Sequence, residues 1–406
     1  MRNILYFFTI LLIQSAWSQV TFQWVQRASL PAQGKWGAVT FAINGSGYVS
    51  GGNAGGSYFS DMWRYDPIND SWSQVASMPQ GRSHGTSFSI NGKGYVLCGH
   101  MAGTFFSNSL WEYDPDSDQW QVRAPLPGNA RYSPHGFAIG GFGYVGGGNA
   151  GSATGPYLSD MYKYDPSTDQ WTEISGIPDL ARYGSTGFAI GGYGYVHGGR
   201  ISSLDFPNEL WRFDPSTSTW SAVQSMPGPG RSWMMVMPYS NDAVITGGAE
   251  NGITMDDAYW YTPSTNTWSA IPDYPGASGW SGASCTLFGR PFGGLGHVYP
   301  QNTYHTDWWE LVKVDAIGLD EIDLGPLDPF IVHPNPVPSG SIIHLKYPVD
   351  DTNGLEILLM DALGRQVNRM SFNNEISLHG LSSGAYTMII TDQRTPIAIS
   401  QLMITD

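Results

Sequence analysis

Counting six residues back from Phe41, Phe88, Phe137, Phe188 and Met237 lands on Lys35, Arg82, Arg131, Arg182 and Arg231. The chain's formal net charge is -15. In such a chain, cations gathered at one repeating position are well suited to hold an anion, because they supply fixed positive charge and strong donors. Beside them stand Trp36, His84, Tyr132, His135, Tyr183, Trp233 and Trp280, whose types change from copy to copy. Aromatic and imidazole groups that break a repeat are what a pocket for one particular ligand needs. The cations also have a scaffold use, each pairing with an Asp of its own or a neighbouring repeat. Repetition in every copy suits that use, so both readings stand.

Other chemistry is sparse. There is no His-Glu-x-x-His, no nucleophile elbow and no phosphate-binding loop. The nine histidines are scattered. The acidic balance argues against a nucleic-acid partner, which needs a basic face. The two cysteines, Cys98 and Cys285, are expected as free thiols. No metal site and no cofactor is expected.

The elements that carry these residues repeat. Trp24, Trp72, Trp120, Trp171, Trp220 and Trp268 recur every 48–51 residues. Ahead of the later ones run Trp63-Arg64-Tyr65-Asp66-Pro67, Trp111-Glu112-Tyr113-Asp114-Pro115, Tyr162-Lys163-Tyr164-Asp165-Pro166 and Trp211-Arg212-Phe213-Asp214-Pro215, with Trp260-Tyr261-Thr262-Pro263 a worn copy. Double glycines precede these at Gly51-Gly52, Gly147-Gly148, Gly198-Gly199 and Gly247-Gly248, while Cys98 replaces the first glycine in the second copy. With 51 Gly and 14% aromatic residues, the composition favours short strands and tight turns over helices. The Trp series reads as packing: each side chain buries ~150–250 Å², worth at most about 4–6 kcal/mol. The Tyr-Asp-Pro aspartates read as turn residues.

A period near 50 with a double Gly, a Tyr-Asp-Pro strand end and a spaced Trp resembles the kelch repeat, over about residues 20–314. The resemblance implies an all-β fold: a β-propeller with one four-stranded blade per repeat. Innermost strands are expected at Lys35 to Ile43, Arg82 to Ile90, Arg131 to Ile139, Arg182 to Ile190, Arg231 to Met237 and roughly Gly279 to Leu287. The sixth copy, with Gly279-Trp280 at the cation register, lacks its last strand, and Thr21 to Gln26 is a spare one. Six blades are therefore expected, the last closed by the N-terminal strand, which also removes exposed sheet edges. In that ring the cations and their neighbours surround one mouth of the central channel. The loops Asn53 to Ser60, Asn149 to Ser159 and His297 to Thr306 are further contact candidates.

The ends of the chain carry other signals. Met1-Arg2-Asn3, the apolar run Ile4 to Ile13 and Ala16-Trp17-Ser18 read as a signal peptide over 1–18, cleaved between Ser18 and Gln19. The run is too short to span a bilayer, so no transmembrane segment is expected after its removal. Residues 315–328 read as an acidic linker. Over 329–406, short alternating runs predict a small C-terminal β-sandwich. Pro334-Asn335-Pro336, Asp361-Ala362-Leu363-Gly364-Arg365 and Leu381-Ser382-Ser383-Gly384-Ala385-Tyr386 resemble the type A C-terminal sorting domain of type IX secretion. One departure is the ending Gln401-Leu402-Met403-Ile404, where such domains often carry Lys followed by aliphatics. This resemblance implies export across the outer membrane of a Gram-negative cell through the type IX machinery, followed by release or surface attachment. The leading expectation is a monomeric, secreted or cell-surface binding module for a glycan or an extracellular protein. Kelch propellers also include galactose-oxidase-like copper enzymes and sialic acid mutarotases or epimerases. A carbohydrate-active enzyme using the channel-mouth pocket is thus the alternative.

Overall fold

The computed structural model describes residues 21–314 except 104–105, 153–154, 179–180 and 277–279, and residues 328–405 except 330, 334, 336, 347–354, 362–365 and 393–394. The expected signal peptide and all of the expected linker but Asp328 lie outside the described residues. Among the described residues the regular structure is entirely strand. Six four-stranded antiparallel sheets account for the repeats.

The first sheet shows the rule. Val39–Ile43, innermost, buries alternate residues Val39, Phe41 and Ile43. Ser46–Ser50 is buried along nearly its whole length, because both of its faces meet neighbouring sheets. Met62–Asp66 and the outer Ser71–Val75 complete the sheet, and the outer strand is largely exposed. The first two strands turn at Asn44-Gly45, with φ of 49° and 77°, the left-handed pair that a two-residue hairpin requires. At the next turn Asp66 Oδ1 accepts the Ile68 amide at 2.9 Å, the turn role read from the sequence.

One sheet cannot bury two apolar faces alone, so the cores lie between sheets. Phe88, Tyr95 and Leu97 of the second sheet cluster with Val145, Tyr162 and Tyr164 of the third. Trp72, Trp120, Trp171, Trp220 and Trp268 are half-buried on the outer strands, so area alone overstates their worth. Each also ties sheets together: the indole N–H of Trp72, Trp120, Trp171, Trp220 and Trp268 donates to the carbonyl of Ala28, Ala76, Ala124, Ser175 and Gln224, at 2.7–2.9 Å.

The sixth sheet combines Ala283–Leu287, Arg290–Gly294 and Trp308–Val314 with the N-terminal strand Thr21–Arg27. That strand pairs in register from Thr21 with Val314 to Arg27 with Trp308. Trp24 is buried, and its indole donates to Pro272 O at 2.9 Å. The inner strand Ala283–Leu287 contacts Val39–Ile43, so the sixth sheet meets the first.

Two expectations need correction. The inner strands begin four residues later than expected, at Val39, Thr86, His135, Thr186 and Met235, and at Ala283 in the sixth sheet. The reason is backbone conformation: Gly37, His84, Ser133, Gly184, Trp233 and Ser281 all have positive φ, which interrupts the extended chain. The three candidate loops are also more regular than expected, each containing a small hairpin: Asn53–Ala54 with Ser57–Tyr58, Asn149–Ser152 with Gly155–Tyr157, and His297–Val298 with Thr303–Tyr304.

Toward the C-terminus, a three-stranded sheet of Ile331–His333, Ile342–Lys346 and Glu375–Ser377 faces a six-stranded one that includes Leu355–Asp361, Gly384–Asp392 and Thr395–Thr405. Val332, Ile343 and Ile376 from one sheet share a core with Ile357, Met388 and Leu402 from the other. Asp328 pairs with Ala398 in parallel.

Candidate functional site

The positive-φ residues build the mouth of the channel. The amides of His84, Ser133, Gly184, Trp233, Ser281 and Gly37 donate in turn to the carbonyls of Gly37, His84, Ser133, Gly184, Trp233 and Ser281, at 2.6–3.3 Å. This ring of six backbone hydrogen bonds closes on itself.

The cations just before it do not face the mouth. Lys35, Arg82, Arg131, Arg182 and Arg231 are at most 1% exposed. Lys35 Nζ lies 2.7 Å from Asp61, Arg182 Nη1 3.4 Å from Glu209, and Arg131 and Arg231 bind Asp160 and Asp257 through both terminal nitrogens. Each acid immediately precedes the third strand of its sheet. Arg82 instead meets Cys98 O at 3.0 Å and Ser109 Oγ at 3.2 Å. Burial lowers the Lys35 and Arg182 pKa values and brings Arg82 down to about 10. The ring of cations expected at the channel mouth is therefore turned into the blades. The physical reason is alternation: in extended chain successive side chains face opposite ways, so a cation pointing into its blade leaves the next residue pointing at the mouth.

Four of those next residues, Trp36, Ser83, Tyr132 and Tyr183, with two of the positive-φ ones, His84 and Trp233, help form a bowl of about 400 Å³. Trp36, His84, Tyr132, Tyr183, Trp233 and Trp280 all line it. Their rings make a continuous belt: Trp36–Trp280 5.3 Å, Trp280–Trp233 5.4 Å, Trp233–Tyr183 5.5 Å and Tyr183–Tyr132 5.6 Å between centroids. These are favourable edge-on and tilted aromatic distances.

His84 and Trp233 form the floor. Left-handed backbone is costly for residues with a Cβ, yet these two positions carry the largest side chains of the six. Room comes from their neighbours: a Cβ on Gly37 would stand 2.6 Å from the His84 ring, and one on Gly184 would stand 2.8 Å from the Trp233 indole. Trp233 Nε1 reaches across to Ser133 Oγ at 2.9 Å. Beneath the floor is a polar channel cavity of about 200 Å³, which His84 and Trp233 also line. His135 belongs to that channel rather than to the bowl, with Nδ1 3.0 Å from Ser185 Oγ. Desolvation, with a lesser contribution from His100, drives the His84 pKa down to about 3, and desolvation with Arg182 and Arg131 does the same for His135. Both imidazoles are therefore neutral at ordinary pH.

The remaining wall comes from Asn53, which opens one of the candidate contact loops, and from His100 and Arg200, which the sequence did not single out. Asn53, His100 and Arg200 line the bowl; each directly follows its glycine pair, or its Cys98-Gly99 equivalent, and bridges to the mouth-facing segment. Their signal was variation in type right after an otherwise constant motif. Tyr58 OH lies 2.7 Å from His100 Nδ1. Arg200 donates to Tyr183 OH at 3.2 Å, to Ser202 O at 3.0 Å and to Ser203 O at 2.5 Å. A guanidinium has five N–H donors, so these contacts leave two while holding it in place. No carboxylate is among the described lining residues, and none pairs with Arg200 among the described residues. The bowl thus joins aromatic faces to one uncompensated cation.

Comparison with known proteins agrees with this architecture. The KLHDC2/KLHL20/DRC7 Kelch-repeats domain matches residues 127–293, and the Kelch motif matches residues 37–79. The secretion system C-terminal sorting domain matches residues 331–405. No curated protein matches the chain significantly. Among solved structures, that of YjhT is similar in fold, with a TM-score of 0.61 and 15% identity, covering 71% of this chain and 99% of that one.

Proposed function

We propose that this chain, a kelch-repeat protein carrying a type IX C-terminal sorting domain and so secreted or held at the outer cell surface, binds an acidic glycan in the aromatic bowl. The observation that carries the reading is Arg200: a positioned guanidinium with no carboxylate beside it among the described residues, set in a belt of Trp and Tyr rings. Sugar rings present C–H faces that stack on aromatic rings, and a carboxylate on the sugar meets the guanidinium through charge-assisted hydrogen bonds. Neutral His84 and the amide of Asn53 serve hydroxyl groups. In this reading residues 1–18 direct export, 19–314 form the binding propeller and 329–406 engage the secretion machinery.

The test is a titration of the protein with acidic and neutral monosaccharides, read by intrinsic Trp fluorescence and ligand-observed NMR. Uronic and sialic acids are expected to bind. Arg200→Ala should weaken them by about 10–100-fold, the value of a charge-assisted hydrogen bond. Acidic sugars that leave fluorescence and NMR signals unchanged would refute the reading.

The Tyr58–His100 contact favours a second reading, a carbohydrate-active enzyme in the same bowl. A phenol hydrogen-bonded to an imidazole can pass a proton to or from a sugar hydroxyl. Anomeric or epimeric interconversion of a bound sugar, seen by NMR and lost in His100→Ala, would establish it.

A further inference from the structure

The second blade departs from its sisters beside its buried cation. In the first, third, fourth and fifth blades the residue ahead of the third strand is acidic: Asp61, Asp160, Glu209 and Asp257. Each pairs with the cation of its own blade. The second blade has Ser109 there. Two residues earlier the sisters carry Phe59, Leu158, Pro207 and Met255, whereas the second blade has Ser107. At both positions the second blade carries a hydroxyl where its sisters carry an acid and a larger apolar side chain, and Ser107 Oγ and Ser109 Oγ lie 2.8 Å apart.

The cation itself is kept. Arg82 is 1% exposed, and its Nη1 meets Cys98 O just as Arg131 Nη1 meets Gly147 O and Arg182 Nη1 meets Gly198 O. Its other contact is Ser109 Oγ, and its Nε has no partner. No carboxylate pairs with it among the described residues. A buried charge without a counter-charge is strongly unfavourable, and the sister blades show where the counter-charge belongs. That place opens to solvent: the sister carboxylates are 22–35% exposed. We propose that the second blade binds a small monovalent anion, of chloride size, between Arg82 and the hydroxyls of Ser107 and Ser109, where the other blades place a carboxylate. The anion accepts from the guanidinium and from the one hydroxyl proton that the Ser107–Ser109 contact leaves free, and neutralises the blade without a covalent acid. This site is separate from the bowl and independent of what the bowl holds.

The test compares thermal unfolding of the full chain in sodium chloride and in sodium methanesulfonate, whose anion is too large for the site, at equal ionic strength. Tm is expected to be about 2–4 °C higher in chloride. Ser109→Asp supplies the acid in place of the ion, so its Tm should not respond to the exchange. Crystals soaked in bromide should show an anomalous peak within hydrogen-bond reach of Arg82 Nη2, a measurement that does not depend on the variant folding. Equal Tm in the two salts, an undiminished chloride response in Ser109→Asp, or no bromide at Arg82 would each overturn the proposal.

Discussion

Arg131→Ala separates a structural cation from a ligand-binding one. The wild-type guanidinium is fully buried, binds both oxygens of Asp160, and also donates to Gly147 O at 3.1 Å and Asn129 O at 3.0 Å. Truncation strands one carboxylate and two carbonyls and removes the aliphatic stem. Breaking a buried ion pair from one side costs about 3–5 kcal/mol. Asp160 is 24% exposed and can be rehydrated, so the low end applies, about 3 kcal/mol. At about 2–4 °C per kcal/mol, Tm should fall by roughly 6–12 °C. Asp160→Asn should also destabilise, and a double-mutant cycle should return a coupling of at least about 1 kcal/mol, since the pair acts as a unit. Neither change touches the bowl, so the affinity of any acidic sugar should stay within about twofold, under 0.5 kcal/mol. Calorimetry and sugar titration on the same preparations check both halves. An Arg131→Ala protein that keeps its Tm but loses sugar binding would refute the reasoning and restore the cation ring as the ligand site.

Removing residues 19–27 should destabilise the propeller far more than removing 329–406, because Thr21–Arg27 supplies one complete strand of the sixth sheet and buries Trp24. Equal Tm of the propeller transition in the two truncations would contradict that closure. His197 is fully buried, and desolvation, helped by Arg231 and Arg182, brings its pKa down to about 3. The unfolded chain then binds a proton that the folded chain refuses, so stability is intact above about pH 6.5 and falls as pH drops from there toward about 3. His197→Leu, the residue that Leu97 supplies in the second blade, should make urea-derived stability fall less steeply across that window, His84 and His135 keeping their share; an unchanged pH slope would count against it.

The repeat was legible because its signals are local. Gly51-Gly52 breaks a strand, Tyr65-Asp66-Pro67 ends the next one in a turn, and Trp72 and its sisters recur at a fixed spacing. The sorting-domain match rested on ordered short motifs of the same kind. Trp72 and its sisters were rightly assigned to the scaffold, although the hydrogen bond from each indole to the preceding blade was not visible in spacing alone. The candidate site was legible in part. Six of its wall and floor residues were named from their position beside the cations, and Asn53 and Tyr58 fell inside a loop named as a contact candidate; His100 and Arg200 were not named, because only their bridges to the distant Ser83 and Tyr183 bring them to the bowl.

What the amino-acid sequence determined by itself was the strand set, the period and the place where variety is concentrated, since turn chemistry and period-2 patterning act within a few residues. The tertiary structure decided which way each residue faces. A left-handed residue two places after each cation ends the approach to the mouth and closes the backbone ring, so Arg131 turns into its blade while Tyr132 faces the bowl. Only packing around that ring could show that four blades neutralise their cation internally, that the second does not among the described residues, and that Arg200 stands at the bowl with no described carboxylate beside it. Counter-charges and cavity walls are contacts between distant segments, and no local propensity encodes them.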